Sequence, residues 1–216
     1  MKHPHYIVAI LKEAFGPLEA GINPMLFGTF LERASKSFFI GRRNELEENE
    51  NFGQMLPYVV LKQGDKVFAY QRTKKVGEQR LAGMSSVGIG GHIDLIDVFF
   101  QVDSIIDIMG TLARALTREL AEEIGFKSKD GETTALKELR DNGINLVPQF
   151  KGIINDTSDP VGRVHYGVLF TMEIPPEFEP YCLEEELTGR GMIDISALQT
   201  EVLENWSNLV LKFLKP

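Results

Sequence analysis

An amphipathic helix is the strongest constraint on the fold of this chain. An apolar side chain recurs at every fourth position, at Leu112, Leu116, Leu120 and Ile124. This spacing is helical, because an α-helix turns about 100° per residue and keeps such positions on one face. A helix with one apolar face has to be covered by another layer. The sequence therefore predicts a layered domain in which this helix packs on a sheet.

The ends of the helix are predicted from residues that cap helices. Ser104 or Asp107 is expected at the N-cap. Gly125 follows the last apolar position, and glycine is common in the left-handed conformation just after a helix. We therefore expect the helix to end at Ile124 and Gly125 to have a positive φ angle.

Strand signals lie on both sides of this helix. Upstream, apolar runs at residues 58–61 and 67–70 flank "QGDK", which predicts a hairpin, and "MSSVGIGG" predicts a short strand. Downstream, "NLVPQFKGIINDTSDPVGRVHYGVLFTMEI" predicts two strands around a loop, and "TEVLENWSNLVLKFL" predicts a last helix. This order predicts an α+β fold, an α/β/α sandwich with a mixed sheet.

The first 50 residues are interpreted as an extension that packs on a main domain of residues 51–216. Within the extension, "HYIVAILKEAF" is expected to form a short amphipathic helix, with Ile7, Ile10, Leu11 and Phe15 on one side. Two acid-rich stretches, "FFIGRRNELEENENFGQ" and "PPEFEPYCLEEELTGRG", are expected to be loops.

Charge and composition narrow the class of protein. There are 23 basic and 31 acidic residues, and the net charge of −8 disfavours nucleic-acid polymers and anionic membranes as partners. No apolar run approaches the ~18 residues of a membrane span. The single cysteine, Cys182, cannot form a disulfide within the chain. We therefore expect a soluble, cytoplasmic protein.

The stretch "RELAEEIGF" (residues 118–126) places Glu119, Glu122 and Glu123 on one helical face about 100° wide. Like charges at this spacing repel by about 0.2–0.5 kcal/mol per pair. One interpretation is a solvated acidic face. The other is a site for a hard divalent cation, because Mg²⁺ prefers carboxylate oxygens together with waters and substrate phosphates.

The same stretch resembles the sequence box of the Nudix hydrolase family, G-x5-E-x7-R-E-U-x-E-E-x-G-U, where U is a bulky aliphatic or aromatic residue. The second half of the box matches in full, and the resemblance extends from Leu56 to Leu198. The first half departs from the pattern: Gly91 begins it, Asp97 replaces the first glutamate, and 13 extra residues precede Arg118. This apolar insertion, residues 98–110, is expected to pack on the sheet, to form a lid or to face a partner chain.

The resemblance implies a metal-dependent hydrolase that cleaves the diphosphate linkage of a nucleoside diphosphate derivative or related phosphoanhydride. It implies Mg²⁺ or Mn²⁺ as cofactor, which neutralises the diphosphate and activates water. By position, the metal ligands would be Glu119, Glu122 and Glu123, with the carbonyl of Gly91 as a fourth. Arg118 would orient a glutamate of the box.

Further site residues follow from the same resemblance. Glu186, with Glu185 second, fits the place of an additional carboxylate that serves as ligand or base. Apart from the resemblance, Arg72 and Arg80, in a basic stretch that includes Lys74 and Lys75, are interpreted as substrate-binding residues, with solvated loop charges as the alternative. His92, after the Gly-Gly turn, is interpreted as a substrate contact, with a structural hydrogen bond as the alternative. Which carboxylate is the general base stays open.

Two other functions are considered. The altered first half of the box would suit a catalytically silent module that senses or binds a nucleotide. An isoprenoid diphosphate isomerase with this fold would need a catalytic cysteine near the metal, and Cys182 lies in the wrong segment for that role. The expected partner is a small anionic phosphoanhydride. The N-terminal segment or the insertion is also a candidate for the contact surface of a homodimer.

Overall fold

The structure, a computed structural model, describes residues 5–73, 84–101, 106–144 and 146–215. The chain divides into two compact units, each made of three stretches. Unit 1 comprises Met1–Tyr58, Gly90–Thr117 and Phe150–Phe170. Unit 2 comprises Val59–Ile89, Arg118–Gln149 and Thr171–Pro216. The predicted boundary at residue 50 stays a prediction.

The described residues form strands and helices throughout the chain. The strands are β1 (Tyr6–Leu11), β2 (Gly21–Asn23), β3 (Phe38–Arg42), β4 (Phe52–Gln63), β5 (Lys66–Arg72), β6 (Ser85–Ser86), β7 (Gly88–Gly90), β8 (Ile124–Ser128), β9 (Thr133–Thr134), β10 (Gln149–Asn155), β11 (His165–Glu173), β12 (Phe178–Cys182) and β13 (Leu187–Asp194). The helices are α1 (Lys12–Phe15), α2 (Phe27–Ser37), α3 (Arg43–Leu46), α4 (Ile108–Glu123), α5 (Leu136–Asp141), α6 (Pro160–Arg163), α7 (Ile195–Leu198) and α8 (Asn205–Phe213). The predicted α+β class is confirmed.

The sheet of unit 1 begins at the N-terminus of the chain. β1 is antiparallel to β3 on one side and to β4 on the other, so that Ala9 lies between Phe39 and Gln54. The prediction of a helix here was wrong for Tyr6–Leu11, and only Lys12–Phe15 is helical. A strand buried on both faces has a continuous apolar run without alternation, which periodicity alone cannot distinguish from a buried helix.

Two further parts of unit 1 were not predicted. The charged stretch interpreted as a loop contains β3 and α3, and α2 has no counterpart in the prediction. The buried residues of α2 include Phe30 and Ala34, at helical spacing. α2 adds two rings to an aromatic cluster with tilted, stacked and edge-on contacts, formed by Phe15, Phe27, Phe30, Phe150 and Phe170.

Unit 2 contains the predicted hairpin. β4 and β5 are antiparallel and pair Lys62 with Val67 across a turn in which Gly64 has a φ angle of 59°. β13 pairs with the other edge of β5, and β12, β8 and β9 form a separate three-stranded sheet. The acid-rich stretch predicted as a loop is therefore mostly strand, because β12 and the start of β13 lie within it.

The predicted amphipathic helix is α4, whose four periodic apolar positions are all buried. Asp107 is its N-cap, since its Oδ1 accepts a 2.9 Å hydrogen bond from the amide of Gly110. The alternative cap, Ser104, lies outside the described residues. The helix ends at Glu123, one residue earlier than predicted, and β8 follows directly.

Gly125 does not have the predicted positive φ angle, because it lies inside β8 rather than at a helix C-cap. A Cβ at this position would lie 2.5 Å from Cζ of Tyr181, on the neighbouring strand β12. Glycine is needed here because the ring of Tyr181 occupies the space of a side chain.

The last predicted helix is α8, with Val210 buried, while Val202 precedes the helix and is exposed. No helix in the described parts of the chain is long and apolar enough to cross a membrane.

Candidate metal-binding site

Arg118 forms ion pairs with two glutamates near the end of α4. Its Nη1 donates to Oε1 of Glu119 at 2.8 Å and to Oε2 of Glu122 at 3.3 Å. Glu119 is buried, although Glu122 is half exposed. One guanidinium thus holds two carboxylates on the same side of the helix. We call Glu119, Glu122 and Glu123 the box glutamates.

Glu123 differs from the other two box glutamates. Its Oε2 is buried and has no hydrogen-bond partner among the described residues. Burial raises the pKa of Glu123 to about 8, and the negative charges of Glu119, Glu184 and Glu122 raise it further, whereas Arg72 opposes the rise. A buried carboxylate that lacks a partner is costly, so a positive charge at this place would be stabilising.

β12 brings a fourth carboxylate to the box glutamates. In its antiparallel pairing with β8, Tyr181 lies opposite Gly125 and Cys182 opposite Ile124. Because successive side chains of a strand point to opposite faces, Tyr181 lies over Gly125 and Cys182 takes the other face. Glu184 follows two residues after Cys182, in the loop, and its charge raises the pKa of Glu123.

Arg72, at the end of β5, is a cation whose charge acts on this group. Its Nη2 donates a 3.3 Å hydrogen bond to the hydroxyl of Tyr70, and its Nε lies 4.0 Å from Oε2 of Glu204. Its charge lowers the pKa of both Glu123 and Glu184. Of the predicted basic residues, Lys74, Lys75 and Arg80 lie outside the described residues.

Known proteins resemble this chain over most of its length. No protein-family model matches the chain. Protein YmaB of Bacillus subtilis (strain 168) is 32% identical over 178 residues, which cover 81% of this chain and 77% of YmaB. The crystal structure of Tm1382, described as a candidate Nudix hydrolase, matches with a TM-score of 0.71 at 25% identity, over 97% of each chain. This chain belongs to the Nudix hydrolase family.

The first half of the Nudix box lies in unit 1. Gly90 packs so closely on β4 that a Cβ would lie 1.8 Å from the carbonyl oxygen of Pro57. Gly91 follows it, and its carbonyl as a metal ligand stays a prediction. Asp97, which replaces the first glutamate of the box, is buried and accepts a 3.0 Å hydrogen bond from the amide of Asp94. Asp97 therefore supports the loop that leads away from the Gly-Gly turn.

The 13-residue insertion of this Nudix chain is partly packed and partly exposed. Val98 and Ile108 are buried, whereas Phe100 and Met109 are more than half exposed. The amide of Asp107 donates to the carbonyl of Phe99 at 2.8 Å, which closes the insertion back on itself. Its role as a lid or a dimer contact stays a prediction.

His92, also in unit 1, is held in a buried polar cluster. Its Nε2 lies 2.9 Å from Oε1 of Gln54 and 3.2 Å from Nε2 of His165. A carbonyl oxygen only accepts, so the 2.7 Å contact of His165 Nδ1 with the carbonyl of Val161 places a proton on that nitrogen. Burial lowers the pKa of His92 to about 2, which keeps it neutral. Substrate contact by His92 stays a prediction beside this structural role.

In the acidic loop of this Nudix chain, Glu184 and Glu186 differ in the residues on which their charges act. Glu186, the predicted additional carboxylate, is exposed, and its backbone carbonyl accepts a 2.8 Å hydrogen bond from Thr73. Its charge raises the pKa of Glu184, which in turn acts on Glu123. Sequence reasoning missed Glu184. Glu184, Glu185 and Glu186 are consecutive, so their spacing does not distinguish one from another.

Cys182 is close to the box but is poorly suited to act as a nucleophile. Burial raises the pKa of its thiol to about 11, with additional contributions from the charges of Glu123 and Glu184. The reactive form of cysteine is the thiolate, which this environment disfavours. The arrangement argues against the isomerase alternative.

The box glutamates fit a hard divalent cation. Among residues that the structure describes, no three His, Cys, Asp or Glu side chains form a metal-ligand group. Glu119 and Glu122 are instead paired with Arg118. The fit rests on Glu123, whose buried Oε2 has no described partner and lies among carboxylates. Oxygen donors of this kind are the ligands that Mg²⁺ and Mn²⁺ prefer.

Proposed function

We propose that this Nudix protein is a divalent-metal-dependent hydrolase. Its substrate is a nucleoside diphosphate derivative or a related phosphoanhydride, cleaved at the diphosphate linkage. The observation that carries the proposal is the buried Oε2 of Glu123, which has no hydrogen-bond partner in the described parts of the chain and is acted on by the negative charges of Glu119 and Glu122. A chain that keeps repelling carboxylates around a desolvated oxygen gains from a cation that neutralises them.

Mg²⁺ or Mn²⁺ would be held by the three box glutamates. The carbonyl of Gly91 and one carboxylate of the acidic loop, Glu184 or Glu186, are the additional candidates. The ion, when bound, supplies neutralisation of the diphosphate charge and activation of the attacking water.

The chain's own side chains orient the reactants. Arg118 keeps Glu119 and Glu122 on one side of α4 through charge-assisted hydrogen bonds. Arg72 supplies a fixed positive charge for a substrate phosphate. Arg80 and His92 are further candidates for substrate contact.

The composition supports a small substrate and a reducing compartment. A net charge of −8 disfavours a nucleic-acid polymer, whereas a small diphosphate can be bridged to the carboxylates by a cation. The single Cys182 is free, which suits the cytoplasm.

The experiment is metal-dependent hydrolysis of a substrate panel. Nucleoside triphosphates, sugar nucleotides, dinucleoside polyphosphates and other nucleoside diphosphate derivatives are incubated with Mg²⁺, Mn²⁺ or a chelator. Metal-dependent release of phosphorylated products is expected. Substitution of a residue that only supports a metal ligand typically lowers activity by roughly 10- to 100-fold. Glu123→Gln removes a ligand itself and is expected to lower the rate of hydrolysis by more than this. Glu177→Gln, at an exposed position of the same unit, is the matched control.

A catalytically silent nucleotide-binding module is the second candidate. It is favoured by the replacement of the first box glutamate by Asp97 and by the insertion of 13 residues that follows. Binding of a panel compound without metal-dependent release of any product would support this alternative and contradict the hydrolase.

A further inference from the structure

Arg72 is held by contacts with the side chain of Tyr70. Its guanidinium lies 5.6 Å from the ring centroid of Tyr70, and its Nη2 donates to the hydroxyl of the same residue at 3.3 Å. That hydroxyl in turn donates to the carbonyl oxygen of Gly88 at 2.7 Å. Tyr70 is fully buried, so this support is rigid.

Glu204 is a buried carboxylate that faces the same guanidinium. It is only 8% exposed, and its Oε2 lies 4.0 Å from Nε of Arg72. Its Oε1 accepts hydrogen bonds from the hydroxyls of Ser86 at 2.6 Å and Ser207 at 3.1 Å. Two hydroxyl donors thus fix one oxygen, and the other is left directed at Arg72.

Arg72 also acts on a second group of negative charge. The amide of the next residue, Thr73, donates to the carbonyl of Glu186, and the amide of Leu183 donates to the carbonyl of Glu123, so the acidic loop connects the end of β5 with the end of the box helix. The charge of Arg72 lowers the pKa of both Glu123 and Glu184. Without Glu204, a long arginine side chain would be free to collapse onto Glu123 as a simple ion pair. It would also be repelled when a divalent cation reached the box glutamates.

We infer that Glu204 is a positioning residue, which keeps Arg72 directed at the box glutamates so that its guanidinium binds a substrate phosphate. The inference rests on the proposed function, because it requires a cation on the box glutamates and a phosphate on that cation. The carboxylate of Glu204 offsets the repulsion between Arg72 and the cation, and the hydroxyls of Ser86 and Ser207 prevent it from reaching the cation itself.

The test measures binding rather than turnover, with Mg²⁺ and methylenediphosphonate, a diphosphate analogue that resists hydrolysis, as the probe. Glu204→Gln keeps the size of the side chain and an oxygen acceptor for the two serine hydroxyls. In titration calorimetry we expect it to bind the probe about tenfold more weakly, while its affinity for Mg²⁺ alone is unchanged. Glu201→Gln is the matched control, because Glu201 pairs with Arg190 instead.

A second variant separates positioning from general damage to the fold. In an Arg72→Met background, Glu204→Gln is expected to cause no further loss of probe binding, because the residue that it positions is absent. Thermal unfolding of each variant checks that the fold is kept. With a substrate identified from the panel, Glu204→Gln is expected to raise KM more than it lowers kcat.

The results that would contradict this inference differ from those that would contradict the proposed function. Equal probe affinity in wild type and Glu204→Gln overturns the inference, as does an equal loss in the presence and absence of Arg72. If the variants bind the probe as expected but no panel compound is hydrolysed, the proposed hydrolase function is contradicted and the inference about Glu204 is kept. No Mg²⁺-dependent probe binding by the wild-type protein overturns both.

Discussion

The backbone amide of Leu183 donates a 2.8 Å hydrogen bond to the carbonyl oxygen of Glu123. This bond continues the pairing of β12 with β8 by one residue and carries the acidic loop to the end of the box helix. As a result, Glu184 is the loop carboxylate whose charge acts on Glu123, whereas Glu186 acts on Glu184.

Metal affinity should therefore depend more on Glu184 than on Glu186. We expect Glu184→Gln to weaken Mg²⁺ or Mn²⁺ binding by roughly tenfold, because it removes a negative charge that acts on the box glutamates. Glu186→Gln should have a clearly smaller effect. Calorimetric titration of both variants with Mn²⁺ measures the difference. A larger loss of metal affinity in Glu186→Gln than in Glu184→Gln would support Glu186 as the additional ligand, as predicted from spacing.

The raised pKa of Glu123 predicts how stability changes with pH in the presence of a chelator. The ordinary value is 4.5 and the folded value is about 8, so between these pH values the folded state binds more protons than the unfolded state. The free energy of unfolding therefore falls as pH rises through this window, by at most about 1.4 kcal/mol per pH unit from this group. Glu123→Gln removes this decline and should be the more stable protein near pH 8.

Urea unfolding at pH 5, 6.5 and 8 measures this difference. Glu177→Gln controls for the loss of a charge at an exposed position and should follow the wild type. Mg²⁺ in excess should stabilise the wild type at pH 8 and stabilise Glu123→Gln much less. Parallel pH dependence of the wild type and Glu123→Gln would contradict the assignment of the raised pKa to this residue.

Gly125→Ala should destabilise the protein although both residues are small. The new methyl group would lie 2.5 Å from Cζ of Tyr181, and overpacking of this kind costs about 1–3 kcal/mol. Gly28→Ala, a helical position with no atom within 4 Å of the new Cβ, should instead be neutral or stabilising. Denaturant unfolding measures both. In a Tyr181→Val background the cost of Gly125→Ala should shrink, and an unchanged cost would contradict this explanation.

Cys182 should report the charge of Glu123 without any assay of activity. Because that charge contributes to the raised pKa of the thiol, Glu123→Gln should increase the fraction of thiolate. We expect alkylation by iodoacetamide at pH 8 to become faster, by up to about tenfold for a pKa decrease of one unit. Glu179→Gln, an exposed position on the same strand, is the control. Equal rates in all three proteins would show that burial alone sets the reactivity.

The sequence predicts those parts of the site in which residues of one kind recur at a regular spacing along the chain. The box helix was predicted because four apolar positions recur at every fourth residue over more than three turns, which leaves few alternatives. The end of that helix was misjudged because Gly125 is required by Tyr181, which follows it by more than fifty residues. Local pattern carries no information about such a contact.

The pairing of Arg72 with Glu204 was unpredictable for the same reason. In its own segment, each residue resembles an ordinary surface charge. The pairing of β5 with β6 brings Ser86 to the end of β5, and Glu204, which accepts a hydrogen bond from Ser86, lies there next to Arg72. The N-terminal strand β1 was misjudged for a different reason. Its burial on both faces removes the alternation that identifies a strand.

The interleaved composition of the two units bears on the order in which the protein can fold during synthesis. Unit 1 needs the stretch that ends at Phe170, and unit 2 needs residues up to the C-terminal helix. Neither unit can therefore be released from the ribosome as a finished N-terminal domain, and neither can be expressed as one continuous fragment. Most of the chain has to leave the ribosomal tunnel before either core can close.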